Sequence, residues 1–317
     1  MVRLAGLWRV STGNVPAVNI PNTESPYVDV MVATGAELSH PDNELVPLVG
    51  TLEAAGFGVE VAAWDDPAAD WGRARAVLIR STWGYHERLD EFLAWAEAVS
   101  QAAQLWNPFS LVRWNTHKQY LLDLAEAGVP VVPTEFVRSR SQGGAPLGEI
   151  AAARGWADVV VKPAVSAGAF ETHKGAAADV TLADEFGRLA ASRDMLIQQF
   201  LSEVATSGEV SLVCIEGTPM HAVRKVPAVG DYRSQAEYGS SITETIPTGS
   251  QLAVASACFG ALGTAPLYAR VDMIDSGRGP MLVELELIEP YLFTAFAESG
   301  QDTLRALASG LSRRLGR

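Results

Sequence analysis

Cysteine is scarce in this chain of 317 residues, which contains only Cys214 and Cys258. Both lie in apolar surroundings without metal-ligand spacing. This argues against a disulfide framework or a zinc site and predicts buried free thiols in a reducing compartment. Long apolar runs are also missing: the stretch from Leu4 to Val10 is short and is interrupted by Arg9. It fits neither a secretory signal nor a membrane span, so we expect a cytoplasmic protein with no membrane partner.

Basic residues are in the minority, with 24 Lys and Arg against 37 Asp and Glu and a formal net charge of −13. Without a basic cluster, a nucleic-acid partner is not expected, because that affinity rests on phosphate neutralisation. ATP remains compatible, since individual side chains decide local charge. The chain also lacks GxGxxG and the P-loop pattern, which excludes a Rossmann or Walker interpretation. Composition leaves the oligomeric state open, with a homodimer as one alternative.

From Tyr27 onward, apolar strand-like runs alternate with helical stretches, which predicts an α/β unit with a mostly parallel sheet. Residues 1–26 are rich in Pro, Asn, Ser and Thr and are predicted to be a lead-in. Ligands gather where parallel strands end, so the segment after the run 76–79 is predicted to form a substrate wall. Its candidates are Arg80, Thr82, Trp83 and Tyr85. The alternative for the two aromatic residues is a capped turn with packed rings, whereas Arg80 needs an anionic partner.

Two lysines mark a second unit. Lys118 lies in the segment 115–119, which is predicted to open a helix, and Lys162 lies at the end of a predicted strand. The loop that follows, residues 164–170, consists mostly of small residues whose backbone N–H groups can approach an anion closely. Its candidate anion-binding residues are Ser166 and Gly168.

The most informative pattern is a hairpin with acidic residues on its inner face. The stretches 268–272 and 282–286 flank a turn-like segment, 276–280. If the turn centres near Arg278, Asp272 faces Glu284, where Cβ atoms are roughly 5 Å apart and like charges destabilise the sheet. A cation between them removes that cost, and such carboxylates suit Mg²⁺. The predicted metal ligands are Asp272, Glu284 and Glu286; the alternative is a solvated acidic face.

In this order and spacing, these elements resemble the ATP-grasp superfamily over roughly residues 110–295. The resemblance rests on Lys118, Lys162 with its small-residue loop, the hinge 198–201, the Gly208-Glu209 hairpin, and the acidic hairpin with Arg270. It implies an α/β (α+β) ATP-grasp fold with an N-terminal parallel-sheet domain and two ATP-binding subdomains. The expected units are a lead-in (1–26), a substrate domain (27–113), a central subdomain (114–198) and a C-terminal subdomain with the metal site (199–317).

The resemblance also implies roles for single residues. Lys118 and Lys162 would contact the phosphates of ATP, and Arg270 would face the transferring phosphoryl group, with one or two Mg²⁺ as further cofactors. The hinge residues Gln198, Gln199, Phe200 and Leu201 would hold the adenine. Glu203 or Glu209 would bind the ribose hydroxyls. The chain departs from the family pattern in having Gln198 for a common Glu and Glu286 for a common Asn.

Within the superfamily, the segments 81–85, 221–225 and 284–290 resemble the group that contains the D-cycloserine synthetase of antibiotic producers. This resemblance implies an ADP-forming ligase that activates a small amino-acid carboxylate as an acyl phosphate for capture by nitrogen, as in the cyclisation of O-ureido-D-serine. Lys225 and Arg233 would neutralise the anions, and His221 is a candidate proton acceptor. The alternatives are an intermolecular carboxylate–amine ligase, a small-molecule kinase and a non-catalytic nucleotide-binding protein.

Overall fold

The computed structural model describes residues 27–38, 42–139, 146–235 and 238–317. In these ranges the strands form one parallel and two antiparallel sheets. The lead-in predicted for residues 1–26 lies outside the described residues. Apart from Gln199 at the end of one strand, each sheet falls within one of the other expected units, and the boundaries of those units stay a prediction.

The N-terminal sheet is parallel, as the alternation of strands and helices predicts. Its strands are β1 (Val28–Thr34), β2 (Val59–Ala63), β3 (Ala74–Ile79) and β4 (Gln104–Trp106) in the order β2-β1-β3-β4, and its helices are α1 (Leu45–Ala54) and α2 (Leu89–Ala102). Val30 and Val32 share a core with α1, whereas Met31 and Ala33 share a core with α2. Because both faces are buried, the strands are nearly continuous apolar runs.

Lys118 lies between two short helices and does not begin a long one. The helices are α3 (Phe109–Asn115) and α4 (Tyr120–Glu126), so the prediction that a helix opens at 115–119 is wrong in its starting point. The reason is a long-range contact: the backbone N–H of Lys118 donates to the carbonyl of Ala164 at 2.8 Å. This bond holds the turn against the small-residue loop.

The smaller antiparallel sheet carries Lys162 and the hinge. Its strands are β5 (Thr134–Val137), β6 (Asp158–Pro163), β7 (His173–Ala176) and β8 (Met195–Gln199) in the order β5-β8-β6-β7, with helices α5 (Leu147–Arg154) and α6 (Val180–Ala190) on one face. Val161 and Ile197 point toward those helices. Alternation along the strands therefore places Lys162 and Gln198 on the opposite face.

The larger antiparallel sheet carries the predicted acidic hairpin. Its strands are β9 (Glu209–Ile215), β10 (Thr218–Val226), β11 (Ser241–Thr245), β12 (Tyr268–Ser276) and β13 (Gly279–Glu286) in the order β11-β10-β9-β12-β13. The remaining helices are α7 (Glu203–Ser207), α8 (Gly249–Leu262) and α9 (Gly300–Arg314). Both predicted hairpins, β9–β10 and β12–β13, are confirmed. Leu304 and Leu307 of α9 join the core of the N-terminal sheet, so the chain returns to its first unit.

Cys214 and Cys258 are both buried and free, as predicted. Burial raises the pKa of each thiol to about 12, which keeps both protonated and unreactive at neutral pH. Among the residues that the structure describes, no helix combines the length and apolar character needed to cross a membrane.

Candidate active site

One face of the five-stranded sheet is charged and the other belongs to the core. Strand alternation and the register bring the polar side chains onto a single face. In order across the sheet from β10 to β13 they are Lys225, Glu209, Ser211, Arg270, Asp272, Glu284 and Glu286. Residues between them, such as Val210 and Val271, lie in the core behind the sheet. We call this charged surface the polar face.

A β-bulge sets the position of the acids on β13. The register pairs Asp272 with Glu284 and then shifts, so that Val283 is an extra residue in the strand. The shift keeps Leu282 on the buried side together with Leu285, although strict alternation would place it beside Glu284. The predicted facing of Asp272 and Glu284 is confirmed, and the bulge is a feature that the sequence pattern did not reveal.

Arg270 lies between two acids on the polar face. Its Nε donates to Asp272 Oδ1 at 2.9 Å, and its Nη2 donates to Asp272 Oδ2 at 2.8 Å and also to Glu286. Lys225 Nζ lies 3.9 Å from Asp272 Oδ2. Burial raises the pKa of Asp272, but Arg270 and Lys225 outweigh burial and hold that pKa at about 2. Asp272 is therefore ionised at neutral pH.

Glu284 meets the two lysines that were predicted to contact phosphates. Lys118 Nζ lies 2.9 Å from Glu284 Oε1 and also donates to the carbonyl of Ser166 in the small-residue loop. Burial raises the pKa of Glu284, but the charges of Lys118 and then Lys162 bring it below its ordinary value. For Lys162 itself, burial is the largest influence and lowers the pKa, while Glu284 raises it. The structure thus brings both lysines, the loop and one acid to the same place.

Glu286 has the least favourable surroundings of the three predicted metal ligands. Its pKa is raised to about 7, first by burial, which Arg270 opposes, and then by the charges of Asp272 and Glu284. Glu289, just beyond the strand, also has a pKa raised well above the ordinary value, first by burial and then by Glu286. A further cation beside these carboxyl groups would relieve their mutual repulsion.

The predicted metal ligands suit Mg²⁺ in their chemistry but do not converge in advance. Among the described residues, no group of three His, Cys, Asp or Glu side chains is gathered as a ready metal cluster. Asp272 and Glu286 are bound to Arg270, and Glu284 is bound to Lys118. The donors are all carboxylate oxygens, which Mg²⁺ prefers, and the raised pKa of Glu286 marks a position where more positive charge is favourable. The residues therefore fit the ion.

The hinge borders a cleft of about 550 Å³. The amide nitrogen of Gln198 donates to Thr134 Oγ1 at 3.0 Å, so its amide oxygen is the group left to accept a bond. Four predicted nucleotide-binding residues line the cleft together with the β12–β13 turn: Gln199, Phe200, Leu201 and Glu203. Neither lysine of the phosphate region lines it, so the cleft covers only the hinge side of the predicted site.

Glu209 and Arg233 have partners that differ from those expected. Glu209 pairs with Lys225 at 2.5 Å and accepts a hydrogen bond from Ser234 at 2.8 Å, so its carboxylate is engaged within the polar face. Of the two ribose candidates, Glu203 is the one beside the hinge. Arg233 pairs with Asp231 at 2.8 Å in the loop between β10 and β11. The structure does not bring Arg233 to the acids of the polar face.

His221 is buried, and both of its ring nitrogens are bonded. Nε2 lies 2.8 Å from the carbonyl of Leu292, which can only accept, so Nε2 carries the proton. Nδ1 then accepts from the hydroxyl of Thr303 at 2.8 Å. This geometry argues against the predicted role of His221 as a proton acceptor for the nucleophile, because no lone pair is available without breaking a bond.

The predicted substrate wall lies on the turn after β3. The anionic partner of Arg80 is Glu44, 3.1 Å away, and Arg80 also donates to the carbonyl of Pro290 at 3.0 Å. Glu44 was missed by sequence reasoning, because nothing in its neighbourhood distinguishes it from a surface acid. Tyr85 and Thr82 are buried and Trp83 is half-buried on the same turn. Burial raises the pKa of Tyr85, and Glu289, Glu286 and Glu284 raise it further, which places the turn within electrostatic reach of the acids.

The outer edge of β13 is bonded along its length by groups that sequence reasoning did not select. Leu282 exchanges backbone hydrogen bonds with the segment 130–132. Asn115 bonds the carbonyl of Leu285 and the N–H of Leu287 at 2.8 Å each, and the hydroxyl of Tyr120 accepts from the N–H of Leu285. Asn107 donates to the carbonyl of Leu287 at 2.7 Å. The signal available in the sequence was an asparagine, Asn115, at the end of a largely apolar helix.

The chain is similar to known proteins in both of its halves. The chain matches the family model of the D-cycloserine synthetase N-terminal domain over residues 30–107 and that of the prokaryotic glutathione synthetase ATP-grasp domain over residues 146–296. It is 34% identical to the cycloserine biosynthesis protein DcsG of Streptomyces lavendulae, over 86% of this chain and 94% of that protein.

Solved structures show the same similarity. The crystal structure of D-cycloserine synthetase DcsG matches with a TM-score of 0.79 and 31% identity, over 90% of this chain and 99% of that one. D-alanine–D-alanine ligase from Bacillus anthracis matches with a TM-score of 0.64 and 13% identity, over 91% and 99% of the two chains. At that identity the second match shows the shared fold alone.

Proposed function

Because the chain belongs to the D-cycloserine synthetase family of ATP-grasp proteins and is therefore an ATP-dependent, ADP-forming carbon–nitrogen ligase, we propose that it closes a ring within one small amino acid, O-ureido-D-serine. The activated carboxylate and the attacking nitrogen then belong to the same molecule. The curated relative that covers most of the chain is named for cycloserine biosynthesis. This likeness supports the substrate, and the polar face supports the chemistry.

Lys118 and Lys162 are proposed to bind the phosphates of ATP beside the small-residue loop, with adenine at the hinge 198–201. The bond from Lys118 to the carbonyl of Ser166 supports this arrangement, because it ties one phosphate lysine to the loop. Asp272, Glu284 and Glu286 would hold Mg²⁺. When bound, Mg²⁺ supplies positive charge to the β- and γ-phosphate oxygens.

Arg270 and Lys225 are proposed to manage the negative charge of the acceptor. A carboxylate oxygen of the substrate attacks the γ-phosphorus, ADP leaves, and an acyl phosphate forms. The side-chain nitrogen bonded to oxygen then attacks the carbonyl carbon, inorganic phosphate leaves, and the five-membered ring closes. Loss of the carbamoyl group from the ring nitrogen by hydrolysis gives cycloserine. Intramolecular attack gains from proximity and needs no second amine site.

The observation that carries this proposal is the position of Arg270. Its guanidinium is buried and held by two carboxylates on facing strands, so its orientation is fixed before a ligand arrives. Planar guanidinium groups suit carboxylate and phosphate oxygens. A pre-oriented cation at the junction of nucleotide and acceptor is what stabilisation of a phosphoryl transfer requires.

The proposal is tested by measuring ADP release with D- and L-amino acids, dipeptides and O-ureido-D-serine, each with and without added amine. We expect ADP release and a ring product with O-ureido-D-serine alone. Dependence on a separate amine would instead support an intermolecular ligase, and a stable phosphorylated product would support a kinase. ATP binding without turnover on any substrate would indicate a non-catalytic protein.

A further inference from the structure

The turn of residues 80–86, between β3 and α2, concentrates buried polar atoms that have no partner. Ten buried side-chain nitrogen and oxygen atoms lack a hydrogen-bond partner in the described part of the chain, and four of them belong to this turn. They are Arg80 Nε, Thr82 Oγ1 and both ring nitrogens of His86. Buried polar groups are ordinarily hydrogen-bonded, because leaving one unpaired loses its interaction with water. The turn therefore holds polar groups that a polar ligand can satisfy.

His86 lies where the N-terminal sheet meets the small-residue loop. The centroid of its ring is 5.1 Å from that of Phe170 in the loop and 6.1 Å from that of Tyr85. The guanidinium carbon of Arg193 lies 5.7 Å from the Phe170 centroid on the loop. The ring of Phe170, itself partly exposed, thus packs beside that of His86 and links the turn to the small-residue loop.

The imidazole of His86 is neutral at neutral pH. Burial lowers its pKa below the ordinary 6.5; Glu87 opposes this, while Lys118 and Arg193 lower the pKa further. A neutral imidazole has one N–H donor and one lone-pair acceptor, and the hydroxyl of Thr82 likewise donates and accepts.

We propose that His86, together with Thr82, hydrogen-bonds the carbamoyl group of the substrate, which is carried by the nitrogen that attacks the activated carboxylate. This inference deepens the proposed function and rests on it. A carbamoyl group offers both N–H donors and a carbonyl acceptor, which matches the two side chains. A carboxylate has no donor and is matched instead by Arg270 and Lys225 on the polar face.

The test uses His86→Phe, which keeps a ring against Phe170 and removes both nitrogens, and His86→Gln, which restores a donor and an acceptor. ADP release is measured at varied O-ureido-D-serine and varied ATP. We expect the KM for O-ureido-D-serine to rise at least tenfold in His86→Phe, to recover in part in His86→Gln, and the KM for ATP to stay unchanged. Inhibition by O-methyl-D-serine, which lacks the carbamoyl group, is expected to be the same in all three proteins.

His173→Phe is the control. The Nε2 of His173 is also buried without a hydrogen bond, but His173 lies outside the turn, on β7, with Nε2 3.5 Å from the carboxylate of Glu185, and its replacement is expected to leave both KM values as in the parent. Thr82→Val serves as a second variant should His86→Phe fail to fold, with the same expected rise. An unchanged KM for O-ureido-D-serine in a folded variant overturns the inference alone. Absence of turnover by the unmodified protein overturns the proposed function and, with it, this inference.

Discussion

The polar face and the turn of residues 80–86 hold buried polar groups in different ways. On the polar face the acids Asp272 and Glu286 both bind Arg270, so each of these charged groups has a partner within the protein. On the turn, the hydroxyl of Thr82 and the ring of His86 are buried with no hydrogen-bond partner. The first arrangement fixes geometry before a ligand arrives, and the second leaves groups that a ligand can satisfy.

Two histidines show the same contrast. Burial lowers the pKa of both His221 and His86, and the sequence pattern drew attention only to His221. Both nitrogens of His221 are bonded to the protein, whereas neither nitrogen of His86 is. Burial alone therefore does not distinguish the two histidines, whereas their hydrogen-bond partners do.

The largest effect is expected from breaking the charge balance at Glu284. Glu284→Gln keeps the shape of the side chain but removes the charge that faces Lys118. We expect ADP release to fall by about 100-fold or more, since electrostatic stabilisation dominates phosphoryl transfer, with the fold retained by circular dichroism. Glu185→Gln, in a half-buried acid that pairs with Arg188 outside the polar face, is the control. Normal turnover in folded Glu284→Gln protein would refute the proposed metal site.

Next in size is the loss of the central cation. Arg270→Met leaves the buried carboxylate of Asp272 and the half-buried carboxylate of Glu286 without their shared cation, and removing one partner of a buried ion pair costs about 3–5 kcal/mol of unfolding free energy. Urea denaturation at neutral pH measures this loss. Arg305→Met, which breaks an exposed pair with Asp302, should change stability far less. A loss in Arg270→Met no larger than in that control would show that the acids of the polar face do not depend on Arg270.

A smaller effect concerns pH and His221. Its folded-state pKa is lowered, first by burial, although the bond to Leu292 raises it. Its contribution to stability is therefore fully present above the unfolded pKa of about 6.5 and is lost as pH falls, with a slope of at most about 1.4 kcal/mol per pH unit. His221→Gln should show a weaker loss of stability between neutral pH and pH of about 5.5. Identical pH profiles by denaturant titration would contradict this.

The smallest effect is expected at Thr82. Thr82→Val removes a hydroxyl that has no partner, so the unfolding free energy should stay within about 1 kcal/mol of the parent or rise. Ser211→Ala removes a hydroxyl from the polar face. That hydroxyl donates to Asp272, so its loss should destabilise the protein. Thermal denaturation of Thr82→Val and Ser211→Ala compares the two. Equal destabilisation would mean that the two regions satisfy their polar groups alike.

Local pattern was enough to predict much of the polar face. Alternation on two strands and a glycine-rich turn predicted that Asp272 faces Glu284, and the register confirms it. The parallel N-terminal sheet followed from apolar runs alternating with helices. These features depend on neighbours in the chain, where periodicity is informative.

What could not be predicted depends on contacts between distant segments. The bond from Lys118 to Ala164 moves a helix start, and Glu44, distant in the chain, is the anionic partner that Arg80 was expected to need. The bonds of His221 come from Leu292 and from α9, far along the chain. No local sequence pattern encodes these partners. Sequence analysis therefore selected His221 as a site residue and did not select His86.

The bonded outer edge of β13 has a consequence for how the molecule meets its own copies. An exposed edge strand is a template on which another chain can add a strand and start aggregation. Here, side chains of Asn107, Asn115 and Tyr120 already occupy the outward backbone groups of Leu285 and Leu287. The edge strand that carries Glu284 and Glu286, two of the proposed Mg²⁺ ligands, is therefore closed to the addition of another strand. This protection needs neither a further strand of its own nor a charged side chain at the edge.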